Sequence, residues 1–243
     1  MTHAEIGDHT LQPSKLTDIN DNVSEVLFDA LGLVIATSIY GTEDDQDKGD
    51  ADLTNYQTLD DASLENILDR PEDYLQGATS YFFYDLFTWK NDGQPVHSIN
   101  LLRETHVKDL SDDEESPIQT HIAYFDGFGR ALQNKVKVDS GEAFLQDTDG
   151  ELSRDTDGNL VEGQTDNRWL ISGRTVYNNK AKPVKQYEPF YSSTAYYEPE
   201  TELTSTVSRQ FSIMTRYCAL SRLTRPKGFS QRSSSRLGGK TLR

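Results

Sequence analysis

A twenty-residue stretch, QTHIAYFDGFGRALQNKVKV over residues 119–138, constrains the fold more than any other part of the chain. Two β-type segments flank a compact Asp126-Gly127-Phe128-Gly129-Arg130 connection. On the outgoing side Leu132, Asn134, Val136 and Val138 alternate with Gln133, Lys135 and Lys137, a period of two with one mostly apolar face. Asp126 offers side-chain hydrogen bonds to a tight reversal, and Gly127 and Gly129 offer positive φ. A near-copy stands at Phe28-Asp29-Ala30-Leu31-Gly32, entered by Val26 and left by Val34 and Ile35. The repeated device predicts a mainly β chain of antiparallel hairpins.

The remaining segments extend this reading. Residues 1–14 are expected to form a frayed start and residues 15–203 one β domain. Asp18, Asn20, Asp21 and Asn22 tolerate left-handed backbone and mark a turn, after which residues 23–28 pair with 33–39. Residues 41–52 hold six Asp or Glu and read as a solvated loop. Over residues 61–77 the spacing changes: Leu64, Ile67 and Leu68 fall at i, i+3 and i+4, and Asp61 or Ser63 can cap the start. Pro71 can open a second short turn, so the stretch predicts one or two short helices. The aromatic run over residues 79–89 predicts a buried strand, Asn91-Asp92-Gly93 a turn, and residues 95–107 the partner strand. Residues 109–116 form another acidic loop. Two tandem octamers, DTDGELSR and DTDGNLVE, fill residues 147–162, and residues 168–190 give strand, turn, strand around Asn178-Asn179-Lys180-Ala181.

The aromatic-Asp-x-Leu/Phe-Gly core resembles the YD repeats of RHS proteins. In order, LTDINDN, FDALGLVIAT, LLRETHVKDL, YFDGFGRALQNKVKV and RWLISGRTVYNNKAKPVKQYEPF resemble the middle region of the B component (TcB/TcdB-like) of bacterial Tc insecticidal toxin complexes, over roughly residues 11–200. The resemblance implies a structural turn motif at Phe28, Asp29, Gly32, Phe125, Asp126, Gly127, Gly129 and Arg130. It implies a non-catalytic role in a hollow β-stranded shell around a cytotoxic segment, with the remaining B-component regions and a C component as partners. That family usually has Gly where Ala181 stands. It further implies a protein made in the cytoplasm and extracellular as part of a toxin complex. Residues 217–224 look like an altered repeat, with Cys218 in place of Asp and Ser221 in place of Gly, so a frame-disrupted, truncated component is expected; a basic disordered tail over 204–243 is the plainer reading.

Composition narrows the alternatives. Hydrophobic residues make up 35% of the 243, and the mean hydropathy is −0.69, values of a folded chain with long polar loops. No apolar run is long enough to span a membrane, and the N-terminus shows no signal peptide, so neither membrane insertion nor visible export is expected. After Glu202 there is no acid but nine Lys and Arg, so against −16 for the whole chain residues 1–203 carry a net charge of −25, an acidic body poorly suited to nucleic acid. One Cys excludes an internal disulfide framework, and no cofactor motif is present. Asp147, Asp149, Asp155 and Asp157 are weak calcium candidates, since the twelfth position from Asp147 is Gly158 where a bidentate Glu belongs. Arg174, Ser192-Ser193-Thr194 and Glu200-Thr201-Glu202 follow the order of ADP-ribosyltransferase groups, but the spacing from Thr194 to Glu200 is too short. Lys135, Lys137, Lys180, Lys182 and Lys185 read as lysines on the wet face of strands, discouraging edge pairing. The alternative function is an independent β domain for cell-surface or carbohydrate binding through Tyr187, Tyr191, Tyr196 and Tyr197.

Overall fold

The computed structural model describes residues 2–44, 46–111, 113–147, 151–178 and 180–199. The tail over 204–243 with Cys218, together with Asp149, Glu200 and Glu202, lies outside the described residues. The chain opens with β1 (His3–Ile6), β2 (Pro13–Thr17), β3 (Val23–Phe28), β4 (Val34–Glu43) and β5 (Gln46–Gly49). Two helices, α1 (Leu64–Asp69) and α2 (Pro71–Leu75), precede β6 (Ser80–Asp85), α3 (Thr88–Asp92) and β7 (Val96–Arg103). Then follow β8 (Ile118–Phe125), β9 (Ala131–Val138), β10 (Gly141–Phe144), β11 (Glu162–Thr165), β12 (Arg168–Ser172), β13 (Thr175–Tyr177), β14 (Pro183–Gln186) and β15 (Phe190–Ser192). One large sheet runs β1-β2-β3-β4-β6-β7-β8-β9-β12-β15-β10-β11, with β5 beside β4, while β13 and β14 form a separate hairpin. Pairing is antiparallel throughout except at the β10–β15 junction, a parallel contact of Phe144 with Ser192 that hairpins alone do not produce.

One turn recurs, in three hairpins of the large sheet and in two other connections. At Asp18, Asp29, Asp126, Asp155 and Asn178 a single side-chain oxygen accepts the backbone N–H groups two and four residues on, at 2.7–3.1 Å. The N–H three residues on donates to the carbonyl of the Asp or Asn, closing a type I turn. That third residue has positive φ in every case: Asp21 62°, Gly32 80°, Gly129 73°, Gly158 81° and Ala181 57°. The bulge this creates appears as register shifts at Phe28, Phe125 and Tyr177. Gly127, expected at positive φ, does not adopt it; the turn requires left-handed backbone only at Gly129. Ala181 occupies the same left-handed position, at a steric cost of about 1 kcal/mol.

Register decides what is buried. Phe83, Ile99, Ile122, Lys135, Ile171 and Phe190 form one row across six strands, with His97, Tyr124 and Gln133 a second row on the same face. Over this face Leu64 and Ile67 of α1, Tyr74 and Leu75 of α2, Leu53, Ala78 and Ala195 complete the core. Each such fully buried large side chain is worth roughly 1.5–3 kcal/mol. Helices this short do not persist alone, so packing maintains them, helped by the Ser63 cap on the Asn66 N–H and by Pro71 at the start of α2.

Four expectations are corrected here. The first fourteen residues carry β1 and the start of β2 in place of a frayed start. Residues 41–52 are no solvated loop: β4 continues to Glu43, β5 pairs with it, and Asp50 is fully buried. The aromatic run stops being a strand at Asp85, whose carboxylate accepts the N–H groups of Phe87 and Thr88 and starts α3. On β9 the covered face is that of Gln133 and Lys135, while Leu132, Asn134, Val136 and Val138 lie half-buried on the opposite side.

The turn carboxylates generate a stability prediction. Hydrogen bonds hold Asp18 and Asp155 below their usual 3.8, from the Asn22 side chain and the Asn159 N–H respectively. Burial pushes Asp126 upward, but the N–H groups of Arg130 and Phe128 and the Arg130 guanidinium outweigh it, and it too is lowered from 3.8. A depressed folded-state value means that this stabilisation is present above about pH 4 and is lost as pH falls through the folded value. Asp126→Ala is expected to cost about 1–2 kcal/mol in urea denaturation at pH 7. Asp126→Asn is expected to cost less, because an amide oxygen fills this role at Asn178, and to remove this group's share of the acid dependence. Equal losses from both substitutions would contradict the assigned role of the oxygen.

Candidate assembly surface

Among the described residues the sheet leaves a free ladder at each end of the strand order, because β1 pairs only with β2 and β11 only with β10; β5 beside β4 is likewise paired on one side. Unpaired N–H and C=O groups on such edges are templates for further strands. Both outer strands have four residues, all four of β1 are exposed, and its register shifts between Glu5 and Ile6.

A second feature follows from the meander. Strands that alternate direction bring the turns after β1, β3, β6 and β8 to one end of the sheet. His9 Nε2 meets the Ala30 carbonyl at 2.9 Å and ties the first two together. These connections carry Leu11, Leu31, Phe87, Trp89 and Phe128, exposed from 65% at Phe87 to 88% at Phe128. Ile19, also exposed, belongs to the other end. A recurrent apolar tip at one end of a sheet, on otherwise polar turns, is the kind of surface that associates.

Beneath the surface, two buried carboxylates join irregular segments to the sheet. Asp50 accepts the Thr79 hydroxyl, the Val107 N–H at 2.9 Å and, at 2.8 Å, contacts His106 Nδ1; Arg103 Nε stands 3.7 Å away. Glu198 accepts the Ser192 hydroxyl and the Gln133 amide and lies 3.5 Å from the ammonium of Lys135, which also donates to the Thr194 carbonyl at 2.9 Å. Lys135 and Gln133 are fully buried, so Lys135 is not on a wet face; Lys137, Lys180, Lys182 and Lys185 are exposed. Sequence reasoning missed both centres, and the available signals were the Arg103–His106 pair and Glu198 amid aromatic residues.

The other candidate residues fall as follows. Phe28, Asp29 and Gly32 build the β3–β4 turn, and Phe125, Asp126, Gly129 and Arg130 the β8–β9 turn, where Arg130 Nε donates to Asp126 at 2.6 Å. Asp155 spends Oδ1 on its own loop, and Asp147 accepts the Glu151 N–H at 3.1 Å. Asp157 donates its N–H within the Asp155 turn, and among the described residues no three His, Cys, Asp or Glu side chains gather as metal ligands. The tyrosine row is divided: Tyr187 packs on Leu152 and Leu160, Tyr191 lies under Arg168 at 3.5 Å, and Tyr196 and Tyr197 reach a cleft on the covered side. Arg174 is buried against Tyr197, to whose hydroxyl Nη1 donates at 2.6 Å. Among the described residues no helix is long and apolar enough to cross a membrane.

No family model and no curated protein matches the chain. Solved structures do. The crystal structure of TcdB2-TccC3 is 28% identical over 84% of this chain and 9% of that one, with a TM-score of 0.71. The Tc holotoxin pore of Photorhabdus luminescens, with a TccC3 mutation, is 21% identical over 84% of this chain and 11% of that one, with a TM-score of 0.68. The chain therefore spans about a tenth of the length of the structures it matches. The fold is that of a region of a Tc toxin B-like component.

The Lys135–Glu198 pair is testable by removing its members in turn. Lys135→Met leaves a buried carboxylate without its cation and is expected to cost about 3–5 kcal/mol. Adding Glu198→Gln is expected to recover a large part of that loss. Urea midpoints measure both, with exposed Lys137→Met as the reference; a Lys135→Met loss no larger than the reference would refute the pairing.

Proposed function

We propose that this chain, which has the fold of a section of the Tc toxin B component, is a non-catalytic wall segment of an RHS-type shell that encloses a cytotoxic segment. The carrying observation is the match over 84% of the chain at a TM-score of 0.71, on a sheet whose outer ladders are open. The wall grows by strand addition on β1 and β11, and closure of a curved sheet removes the edges that a partial wall exposes. The apolar tips of Leu11, Leu31, Phe87, Trp89 and Phe128 supply end-on contacts to neighbouring strands of the shell. Its partners are the remaining B-component regions and a C component, and it acts outside the producing cell as part of that assembly. The buried acids and Lys135 tie irregular segments to the sheet, which supports a structural role for these groups.

The test is assembly. Co-expression with the flanking B-component regions and a C component is expected to give one stoichiometric particle by size-exclusion chromatography with light scattering. Phe128→Asp and Trp89→Asp together are expected to weaken that assembly while leaving the circular dichroism and melting of the chain alone nearly unchanged. A well-behaved monomer that ignores those partners and binds glycans saturably would favour the independent carbohydrate-binding domain.

A further inference from the structure

Beside the β8–β9 turn, β13 lies against the start of β9, where the Tyr177 hydroxyl donates to the Ala131 carbonyl at 3.5 Å. Gly173, at φ 67°, turns the chain from β12 into β13 and sets Arg174 at the head of that hairpin. An open recess of about 300 Å³ lies here, lined by Asp126, Arg130, Arg174, Tyr177 and Tyr197 among others. Its charged lining among the described residues is two guanidinium groups and one carboxylate.

The carboxylate is already spent. Asp126 is taken up by its own turn and by Arg130, whose Nε donates to it at 2.6 Å. Arg174 has no such partner: it is 4% exposed, its Nη1 donates to the Tyr197 hydroxyl at 2.6 Å, and no carboxylate pairs with it among the described residues. Its Nε is buried with no hydrogen-bond partner, and so is Nη1 of Arg130. A guanidinium keeps its charge and its five N–H donors at any pH a protein survives, so what these atoms lack is an acceptor. A buried charge left without a counter-ion is costly, and an anion in the recess relieves that cost.

We propose that this recess is a carboxylate-binding site, filled by an Asp or Glu side chain of the neighbouring shell segment that packs on the Phe128 end of the sheet, with Arg174 as its counter-ion. The charge count selects a carboxylate over a phosphate: the three charged groups leave a single positive charge, and Asp126 repels a second negative one. The planar guanidinium fork also matches a carboxylate in shape. A neutral sugar would leave the charge of Arg174 unmet. Position selects the source. The Arg130 guanidinium stands 5.3 Å over the ring of Phe128, so the recess adjoins that exposed apolar tip, and a segment docked on the tip is placed to present an acid to Arg174. Pro199, the last described residue, lines a different cleft. The source rests on the wall-segment reading; the carboxylate site does not.

The test begins with the full chain alone, labelled with nitrogen-15 and titrated with sodium acetate and, at equal ionic strength, with sodium chloride or sodium phosphate. Acetate is expected to shift the Arg174 Nε–H resonance saturably, with half-saturation at millimolar concentration; chloride is expected to leave it nearly unmoved, and phosphate to bind more weakly than acetate. Acetate is also expected to raise the melting temperature of the unmodified chain and not that of Arg174→Gln. If that variant does not fold, the resonance titration decides alone. No saturable shift, an equal shift with chloride, or tighter binding of phosphate overturns the carboxylate site. Acetate binding that appears only when Glu200→Gln and Glu202→Gln remove this chain's own nearby acids overturns the outside source. In the particle formed with the flanking B-component regions and a C component, Arg174→Gln is expected to weaken assembly about tenfold, and assembly indifferent to it overturns the source. An unmodified chain that forms no particle removes the wall-segment reading and the source with it, while the acetate titration still decides the site.

Discussion

A single side-chain oxygen that accepts two backbone N–H groups underlies the sheet. A three-residue reversal between antiparallel strands turns N–H groups inward, away from the ladder, and unpaired they would oppose closure. Asp18, Asp29, Asp126, Asp155 and Asn178 each satisfy two of them, and a left-handed residue three positions on gives the chain the twist of the flanking strands. The consequence reaches beyond the turn. A one-residue slip would move every side chain of a strand to the other face, so the turns that fix register also fix which residues can meet. In the row from Phe83 through Ile99, Ile122, Lys135 and Ile171 to Phe190, the Asp126 turn sets the offset of Ile122 and Lys135, while the other pairings are set by the ladders themselves.

Register creates an obligation on the covered face. Placing Gln133 and Lys135 inward puts an amide and an ammonium where water does not reach, and such groups need partners supplied by whatever lies above them. The segment after β15 supplies them through the Thr194 carbonyl and Glu198. Asp50 does the reverse at the other side of the core: an acid from the β5 end finds its donors at Thr79 and Val107, with Arg103 and His106 beside it. Glu25 adds a third tie, accepting the Tyr40 hydroxyl at 2.9 Å and the Leu53 N–H at 3.1 Å. The irregular stretches are therefore held by charge-assisted hydrogen bonds to particular strand positions, which are stronger than neutral ones.

This division explains what could be read without a structure. The hairpins at 23–39 and 119–138 and the helices within 61–77 were legible because their causes are local: Asp and Gly at fixed offsets, a period of two, and apolar residues at i, i+3 and i+4. The face of β9 was not. Alternation reveals that two faces differ, while only a distant segment decides which is covered, and Leu132, Val136 and Val138 made the wrong side look interior. Asp50 was hidden for a related reason, since composition treats six acids alike and burial selects one. The octamers misled in a different way: spaced acids suggest an ion, but Asp155 is a turn residue of the same kind as Asp126.

The same physics separates the two sides of this sheet as working surfaces. On the covered side Asp50, Lys135 and Glu198 are consumed in holding the insertion and the terminal segment, while His97 Nε2 is buried without a hydrogen-bond partner. Turn chemistry, by contrast, needs side chains only at the Asp or Asn and the left-handed position, so the residue between them is free to vary. Leu31 and Phe128 occupy equivalent places, two residues after their Asp, and both point an apolar group outward where the turn itself gains nothing from it. At the same place in the other three turns Asn20, Asp157 and Lys180 are polar, so the apolar choice at Leu31 and Phe128 belongs to two hairpins at one end of the sheet and supports that end as an associating surface. Such positions can take up a contact without disturbing the ladder, because the turn hydrogen bonds do not use their side chains.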